Sequence, residues 1–217
     1  MSMLEDKLKR ALNYLNEGNL TQAEVLFLQC VDKADDQKSN VFAQSMHGLA
    51  YVKMAQEHFD EAWDLYMRLL ELAETKNDTN GRAIVHHQLG MVEQTRGHYA
   101  EALEQFAHEQ SIYQSSMVED DLSVAINLFE QGYVYFLMED FEKASNALDE
   151  ALDHAQRSDD PVTIASVHHA LGDLAAQGKN KDKALEHYTE AQAIFQKEND
   201  SPMAEELTGK ITTVSAW

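Results

Sequence analysis

One short unit recurs five times along the 217 residues, and this repetition constrains the fold more than any other feature of the sequence. Each unit contains an alanine that is followed four residues later by a large side chain, which is aromatic in four of the five units. The alanines are Ala23, Ala62, Ala102, Ala144 and Ala184, at separations of 39, 40, 42 and 40 residues. A period near forty residues predicts an array in which neighbouring units cover each other's apolar faces.

A second column of small residues lies twelve positions before each alanine, at Ala11, Ala50, Gly90, Gly132 and Gly172. Small residues on two antiparallel helices let the backbones approach closely, and larger neighbours then fill the grooves. Between the two columns lies a short turn, such as Arg96-Gly97-His98 or Gln177-Gly178-Lys179, in which glycine is expected to supply the left-handed conformation. Each unit is therefore predicted to be a helix, a tight turn and a second helix.

Polar segments rich in Asp, Asn and Ser separate the units, and their ends carry signals for helix starts. Asp160-Pro161 and Ser201-Pro202 each place a capping side chain before a proline at the first helical position, and Ser2-Met3-Leu4-Glu5 has the spacing of a capping box. No segment has the alternation and turn residues of a strand. The chain is predicted to be all-α, with ten repeat helices and a final helix from about Pro202 to Val214.

The third unit resembles the tetratricopeptide repeat (TPR), because Leu89-Gly90, Gly97, Tyr99, Ala102 and Phe106 fall at that family's spacing. The period is longer than the usual 34 residues, and such units are similar to those of kinesin light chain and of Rap-type peptide-sensing regulators. The resemblance covers roughly Leu4 to Ala191. It implies a right-handed superhelical solenoid of five helix-turn-helix repeats in one array over 1–217. The predicted repeats are 3–38, 39–79, 80–119, 120–160 and 161–200, closed by a capping helix at 202–214, and this arrangement favours a complete protein.

The resemblance also implies that the first helix of each unit lines a concave groove that binds a peptide or a partner helix. In the first unit the matching positions are Leu8, Leu12 and Leu15. Each later set recurs at spacings of three or four residues and so shares one helix face. The lining is apolar and aromatic in its middle, which suits a protein or peptide partner that is amphipathic or extended, and the net charge of −21 favours steering of a basic partner. The predicted groove residues are His47, Tyr51, Met54, Ile84, His87, Met91, Ile126, Phe129, Tyr133, Phe136, His169 and Asp173.

The predicted helix Ile126–Met138 is apolar almost all the way round. Such a helix is normally buried on every side, whereas one side of a first helix should face the groove. Two interpretations stay open, namely that a partner covers the exposed side or that neighbouring units close over it.

Histidines recur at equivalent places in the units, as the pairs His86-His87 and His168-His169 and as the single His47. Adjacent residues on a helix diverge by about 100°, which opposes joint chelation, so no metal site and no cofactor are predicted. A histidine that hydrogen-bonds to the ligand and a histidine that only packs both remain possible. The groove positions lack the Lys, Arg and Asn clamp with which related domains hold chaperone tails, which disfavours that role.

The composition excludes several classes of protein. With 17 Lys and Arg against 38 Asp and Glu, the net charge of −21 opposes binding to nucleic acids and to anionic membranes. The one cysteine, Cys30, allows no internal disulfide and occupies a small core position, and no signal peptide or membrane span is recognisable, so a cytoplasmic location is predicted. The sequence has no nucleophile elbow, phosphate loop or zinc-protease motif, so the chain is not predicted to be an enzyme.

Three functions are compatible with these features. The first is an interaction scaffold that holds a peptide or a helix in the groove. The second is a ligand-responsive regulator that binds a short signalling peptide, like a Rap sensor without a DNA-binding domain. The third is a homo-oligomerisation module that uses the apolar fourth unit or the last helix as its contact.

Overall fold

The fold was analysed in a computed structural model that describes residues 3–34, 39–116 and 121–217. Every regular element in these ranges is an α-helix, as the sequence predicted, and there are eleven in chain order. None of the described helices has the length and apolar character that crossing a membrane requires. The helices are α1 (Met3–Asn16), α2 (Leu20–Lys33), α3 (Asn40–Ala55), α4 (Phe59–Thr75), α5 (Thr79–Arg96), α6 (Tyr99–Ser116), α7 (Asp121–Leu137), α8 (Phe141–Ser158), α9 (Pro161–Gln177), α10 (Lys181–Lys197) and α11 (Ser201–Ser215).

The chain forms two compact units, Met1–Ile112 and Tyr113–Trp217. In the first unit, each helix from α1 to α4 packs against its successor, and α1 also contacts α3. In the second unit, α7 to α10 do the same, and α7 contacts α9. Each unit is therefore a stack of helical hairpins whose first helices are neighbours. The single array over 1–217 stays a prediction.

Small residues bring the two helices of a hairpin together, as their spacing predicted. A Cβ atom added to Gly90 of α5 would lie 2.5 Å from the Phe106 ring of α6, and one added to Gly172 of α9 would lie 2.4 Å from the Tyr188 ring of α10. Both rings are buried. The glycines therefore let a large aromatic side chain of the second helix lie directly against the backbone of the first.

The turn inside each hairpin closes α1, α3, α5, α7 and α9 in the same way. The residue directly before the second helix donates its N–H to the carbonyl five positions earlier in the first helix. In the third unit, His98 N donates to Glu93 O at 2.8 Å. The preceding residue is left-handed, and it is Gly97 in the third unit with φ of 80°. In the fifth unit the prediction for Gly178 is wrong, because its φ is −75° and Lys179 takes the left-handed position at 54°. The left-handed conformation is therefore fixed by the position in the turn, and Lys179 shows that a residue with a side chain can adopt it.

The two proline-containing starts differ in their caps. Asp160 caps α9 by accepting from Thr163 N at 2.8 Å, and Pro161 is the first helical residue, as predicted. At α11 the prediction that Ser201 is the cap is wrong, because Asp200 accepts from Met203 N and Ser201 is already helical. The aspartate one position earlier gains the cap because its carboxylate also suits the positive helix end. The predicted capping box at Ser2 lies outside the described residues.

Candidate functional site

An open cavity of about 560 Å³ lies in the first unit between its first helices. Leu12 and Leu15 of α1 line it on one side, and Ile84 and Val85 of α5 line it on the other. On α5, Gly90 faces Phe106 of α6, and Ile84 is directed away from that contact and stays exposed. The first helices of three successive hairpins thus contribute to one concave site, with α3 between α1 and α5.

The centre of the cavity is formed by α3 and by the end of α4. His47 and Tyr51 of α3 line it, as do Leu69 and Leu72 of α4. Tyr51 keeps 47% of its surface exposed, and Ile84 keeps 46%. Large apolar side chains that remain this exposed on facing helices form a surface that gains stability when a second apolar group covers it.

The charged residues of the cavity lining lie near the turn between α4 and α5. Lys76 and Asp78 lie there, and Asp78 Oδ1 accepts from Gly81 N at 2.8 Å to cap α5. At the start of α3, Gln44 Nε2 donates to Asn40 Oδ1 at 3.3 Å. An apolar floor with a polar edge is the usual composition of a recognition site.

His47 contributes an uncharged ring to the cavity wall. Its imidazole meets the Tyr66 ring edge-on, with the centroids 5.4 Å apart. Burial lowers the pKa of His47 below its ordinary value, so the neutral form prevails at neutral pH. The neutral ring leaves the centre of the cavity without a charge.

The cavity includes some of the predicted groove residues of the first unit and omits others. His47, Tyr51 and Ile84 line it together. Met54, His87 and Met91, although described residues of α3 and α5, lie outside its lining. His87 Nδ1 instead lies 3.1 Å from Oε2 of the buried Glu109 on α6, and Met54 packs on the core of this unit. The contribution of α4 was missed, because the prediction assigned the groove to first helices alone.

In the second unit, the predicted groove residues of α7 form a row of aromatic rings. Phe129 and Tyr133 have centroids 6.5 Å apart with planes 11° apart, and Tyr133 and Phe136 repeat this at 6.5 Å and 17°. Tyr133 is exposed, whereas Ile126, Phe129 and Phe136 are half-buried. The apolar helix is thus covered on one face, where Val124 and Leu128 are buried, and only partly covered on the other.

The predicted groove residues of α9 are engaged by neighbouring helices. Asp173 Oδ1 accepts from Tyr188 Oη at 2.7 Å and from Lys210 Nζ of α11 at 2.6 Å. His169 Nε2 lies 3.6 Å from Asp173 Oδ2 and 3.5 Å from Glu206 Oε1. Burial lowers the pKa of His169, and the positive charge of Lys210 lowers it further. Asp173 therefore links α9 to α11 through Lys210, whereas His169 Nε2 is buried without a hydrogen-bond partner among the described residues.

The histidine pairs and the cysteine serve packing. His168 Nδ1 lies 3.0 Å from His187 Nδ1, and His86 Nδ1 lies 2.9 Å from Gln105 Oε1. Across the described residues, no group of three or more His, Cys, Asp or Glu side chains is placed to hold a metal ion. Cys30 is buried, and burial raises the pKa of its thiol, which opposes formation of a reactive thiolate.

The chain belongs to the tetratricopeptide repeat family. The family model matches residues 41–115 and 122–197, which together make up more than half of the sequence. The stacked helical hairpins, with small residues packed between their two helices, agree with that match. Repeats of this family generally mediate protein–protein interactions, and the scaffold is typically non-catalytic.

Three relatives illustrate the range of proteins with this architecture. The photosystem I assembly protein Ycf3 of Synechococcus elongatus is 28% identical over 129 residues, which are 59% of this chain and 69% of Ycf3. A kinesin light chain of Podosopora anserina with nearly identical TPR-like repeats has a TM-score of 0.70 at 18% identity, covering 91% of this chain and 97% of that one. A Rap protein complexed with Competence and Sporulation Factor has a TM-score of 0.69 at 15% identity, covering 100% of this chain and 65% of that one. At these identities the two solved structures show the fold alone.

Proposed function

We propose that this chain is a protein-binding scaffold that holds an apolar peptide segment, or one face of a partner helix, in the cavity of the first unit. The observation that supports this proposal is the cavity of about 560 Å³, within the usual range for binding sites, between three first helices. Tyr51 and Ile84 stand on facing helices and remain exposed without a ligand. Covering about 100 Å² of such apolar surface provides roughly 2.5 kcal/mol of hydrophobic free energy, from which the costs of association are subtracted.

A ligand-responsive regulator is the second candidate. It is supported by the solved Rap protein of the same fold, which is complexed with Competence and Sporulation Factor. A scaffold binds its peptide with little change in shape, whereas a regulator changes conformation when the peptide binds. Small-angle scattering with and without a saturating peptide separates the two, because only the regulator changes its radius of gyration.

The proposed binding site is tested with a displayed library of random twelve-residue peptides selected on the full chain. The selected peptides are synthesised, and their affinities are measured by calorimetry for the wild type and for Ile84→Glu. Ile84 is exposed, so the variant folds, and a carboxylate in the apolar wall should weaken binding by about tenfold or more, since burying a charge is costly.

Val25→Glu is the matched control. Val25 is an apolar residue of α2 in the same unit, is 45% exposed and does not line the cavity. This variant should bind the peptides as the wild type does. Peptides that bind equally to the wild type and to Ile84→Glu would place the binding surface elsewhere and overturn the proposal.

A further inference from the structure

The second unit carries a surface of a different kind, which we call the aromatic row and define as Phe129, Tyr133 and Phe136 of α7 with Phe141 of α8. The three residues of α7 are spaced at i, i+4 and i+7 and share one helix face. Phe141, the first residue of α8, continues the row with its centroid 6.0 Å from that of Phe136. Four rings therefore follow one another along the end of the first hairpin of this unit.

The aromatic row is open to solvent along part of its length. Tyr133 and Phe141 each keep 36% of their surface exposed, and Met138 beside them keeps 45%. Phe129 packs partly on the core of this unit, which anchors the row. The faces of these rings carry the negative part of the aromatic quadrupole and attract cations.

Acidic side chains dominate the surroundings of the row. Residues 113–217 contain 7 Lys and Arg against 20 Asp and Glu. Glu139 lies between Phe136 and Phe141 in the chain, and Glu142 directly follows Phe141. Both glutamates are exposed. Lys143 is the cation nearest in sequence, and it is already bound to Asp140 at 2.7 Å. The field around the row therefore draws positive charge from a partner.

Cation–π contacts in this unit are made with rings outside the row. Lys143 Nζ lies over the Tyr135 ring at 5.3 Å, and Lys210 Nζ lies over the Tyr188 ring at 5.7 Å. Both lysines are also held by carboxylates. Neither pair uses a ring of the row, and Tyr133 and Phe141 keep part of their surface exposed to a partner's cation.

We propose that the aromatic row binds an arginine-containing segment of a protein partner. The guanidinium is planar and weakly hydrated, so it stacks on Phe and Tyr faces while its N–H groups donate to carboxylates such as Glu139 and Glu142. The ammonium of lysine is a hydrated point charge and gains less from the rings. Charge complementarity supplies the attraction, and the stacked rings supply the preference for arginine. The surface is independent of the cavity in the first unit, and this proposal does not rest on the function assigned there.

The test uses two fluorescein-labelled twelve-residue peptides of Ser and Leu that differ only in carrying four arginines or four lysines. Their affinities for the full chain are measured by fluorescence anisotropy at about 150 mM salt, where long-range attraction is screened beyond about 8 Å. The arginine peptide should bind roughly threefold or more tightly than the lysine peptide, since each exposed cation–π contact contributes about 0.5–1 kcal/mol. In Tyr133→Leu, and in the second variant Phe141→Leu, the two affinities should converge. Tyr133→Phe keeps the ring and should keep the preference.

Tyr51→Leu is the control in the other unit, since Tyr51 is also exposed but belongs to the cavity. It should leave the preference for arginine unchanged. Equal binding of the two peptides by the wild type would mean that the acidic surface attracts any cation, which overturns the proposal. A preference that survives both Tyr133→Leu and Phe141→Leu would also overturn it, because the aromatic row would then not be its source.

Discussion

At the scale of single residues, the absence of a side chain sets the distance between helices. Gly90 faces the ring of Phe106, and Gly172 faces that of Tyr188, at distances that leave no room for a Cβ atom. Gly209 of α11 is helical too, but an added Cβ would meet nothing within 4 Å. Glycine therefore permits close helix packing at positions 90 and 172, whereas at position 209 it makes no such contribution.

We expect Gly90→Ala to lower the free energy of unfolding by roughly 1–2 kcal/mol. Overpacking costs about 1–3 kcal/mol, and the better helix propensity of alanine returns up to about 1 kcal/mol of this. Gly209→Ala should instead raise the free energy of unfolding by about 0.5–1 kcal/mol, because only propensity changes. Urea titrations followed by circular dichroism give both values. If Gly90→Ala is as stable as Gly209→Ala, the close packing against Phe106 is wrong.

Residue patterns predicted the packing columns correctly because steric contact leaves few alternatives. Ala11, Ala50, Gly90, Gly132 and Gly172 are all buried, as their spacing indicated. The patterns failed at Gly178 and at Ser201, where two neighbouring residues compete for one backbone position. Such a shift by one residue depends on where the helix begins or ends, which the local sequence does not fix.

At the scale of elements, α9 and α10 are joined by a contact between two imidazoles. His168 Nδ1 lies 3.0 Å from His187 Nδ1, and the ring centroids are 5.3 Å apart. Burial lowers the pKa of both histidines, and repulsion between the two protonated rings lowers that of His168 further. Glu186 and Glu190 act in the opposite direction on His168, as smaller effects. The contact is therefore formed by neutral rings, one donating to the other.

This contact predicts that stability falls in mild acid. A histidine whose pKa is lower in the folded chain binds more protons when unfolded, so its contribution is complete above about pH 6.5 and is lost as the pH falls through the folded pKa. The urea midpoint should decrease between pH 7.5 and pH 5.5, and His168→Gln should reduce that decrease. His58→Gln, at an exposed histidine, is the control and should leave it unchanged. An equal decrease in the wild type and in His168→Gln would contradict the role given to this pair.

The candidate site was predictable in part at this scale. Helical periodicity grouped His47, Tyr51 and Ile84, and these three residues line the cavity together. The sequence did not indicate Leu69 and Leu72, because their access to the cavity depends on where the end of α4 lies under two other helices. It also did not indicate that Asp173 accepts a hydrogen bond from Lys210, which lies 37 residues later in the chain. Both the access of Leu69 and Leu72 to the cavity and the contact of Asp173 with Lys210 depend on how the helices pack.

At the scale of the whole molecule, the two compact units carry surfaces of different chemistry. The first has an aliphatic and aromatic cavity with polar groups at its edge, and the second has a row of aromatic rings among acidic residues. The net charge of −21 produces a negative field that attracts cations over short range. We propose that partners are held at both surfaces, and the proposed function rests on the cavity.

Methyl NMR tests that claim most directly. The full chain is labelled at Ile, Leu and Val methyl groups and titrated with a peptide selected as described above. We predict that the resonances of Leu12, Ile84 and Val85 shift and saturate together, while those of Val25 and of Val162 in the second unit stay in place. If the protein is saturated with peptide and the Ile84 resonance does not shift, the cavity is not the binding site. Shifts centred on Val25 or Val162 would contradict the assignment in the same way.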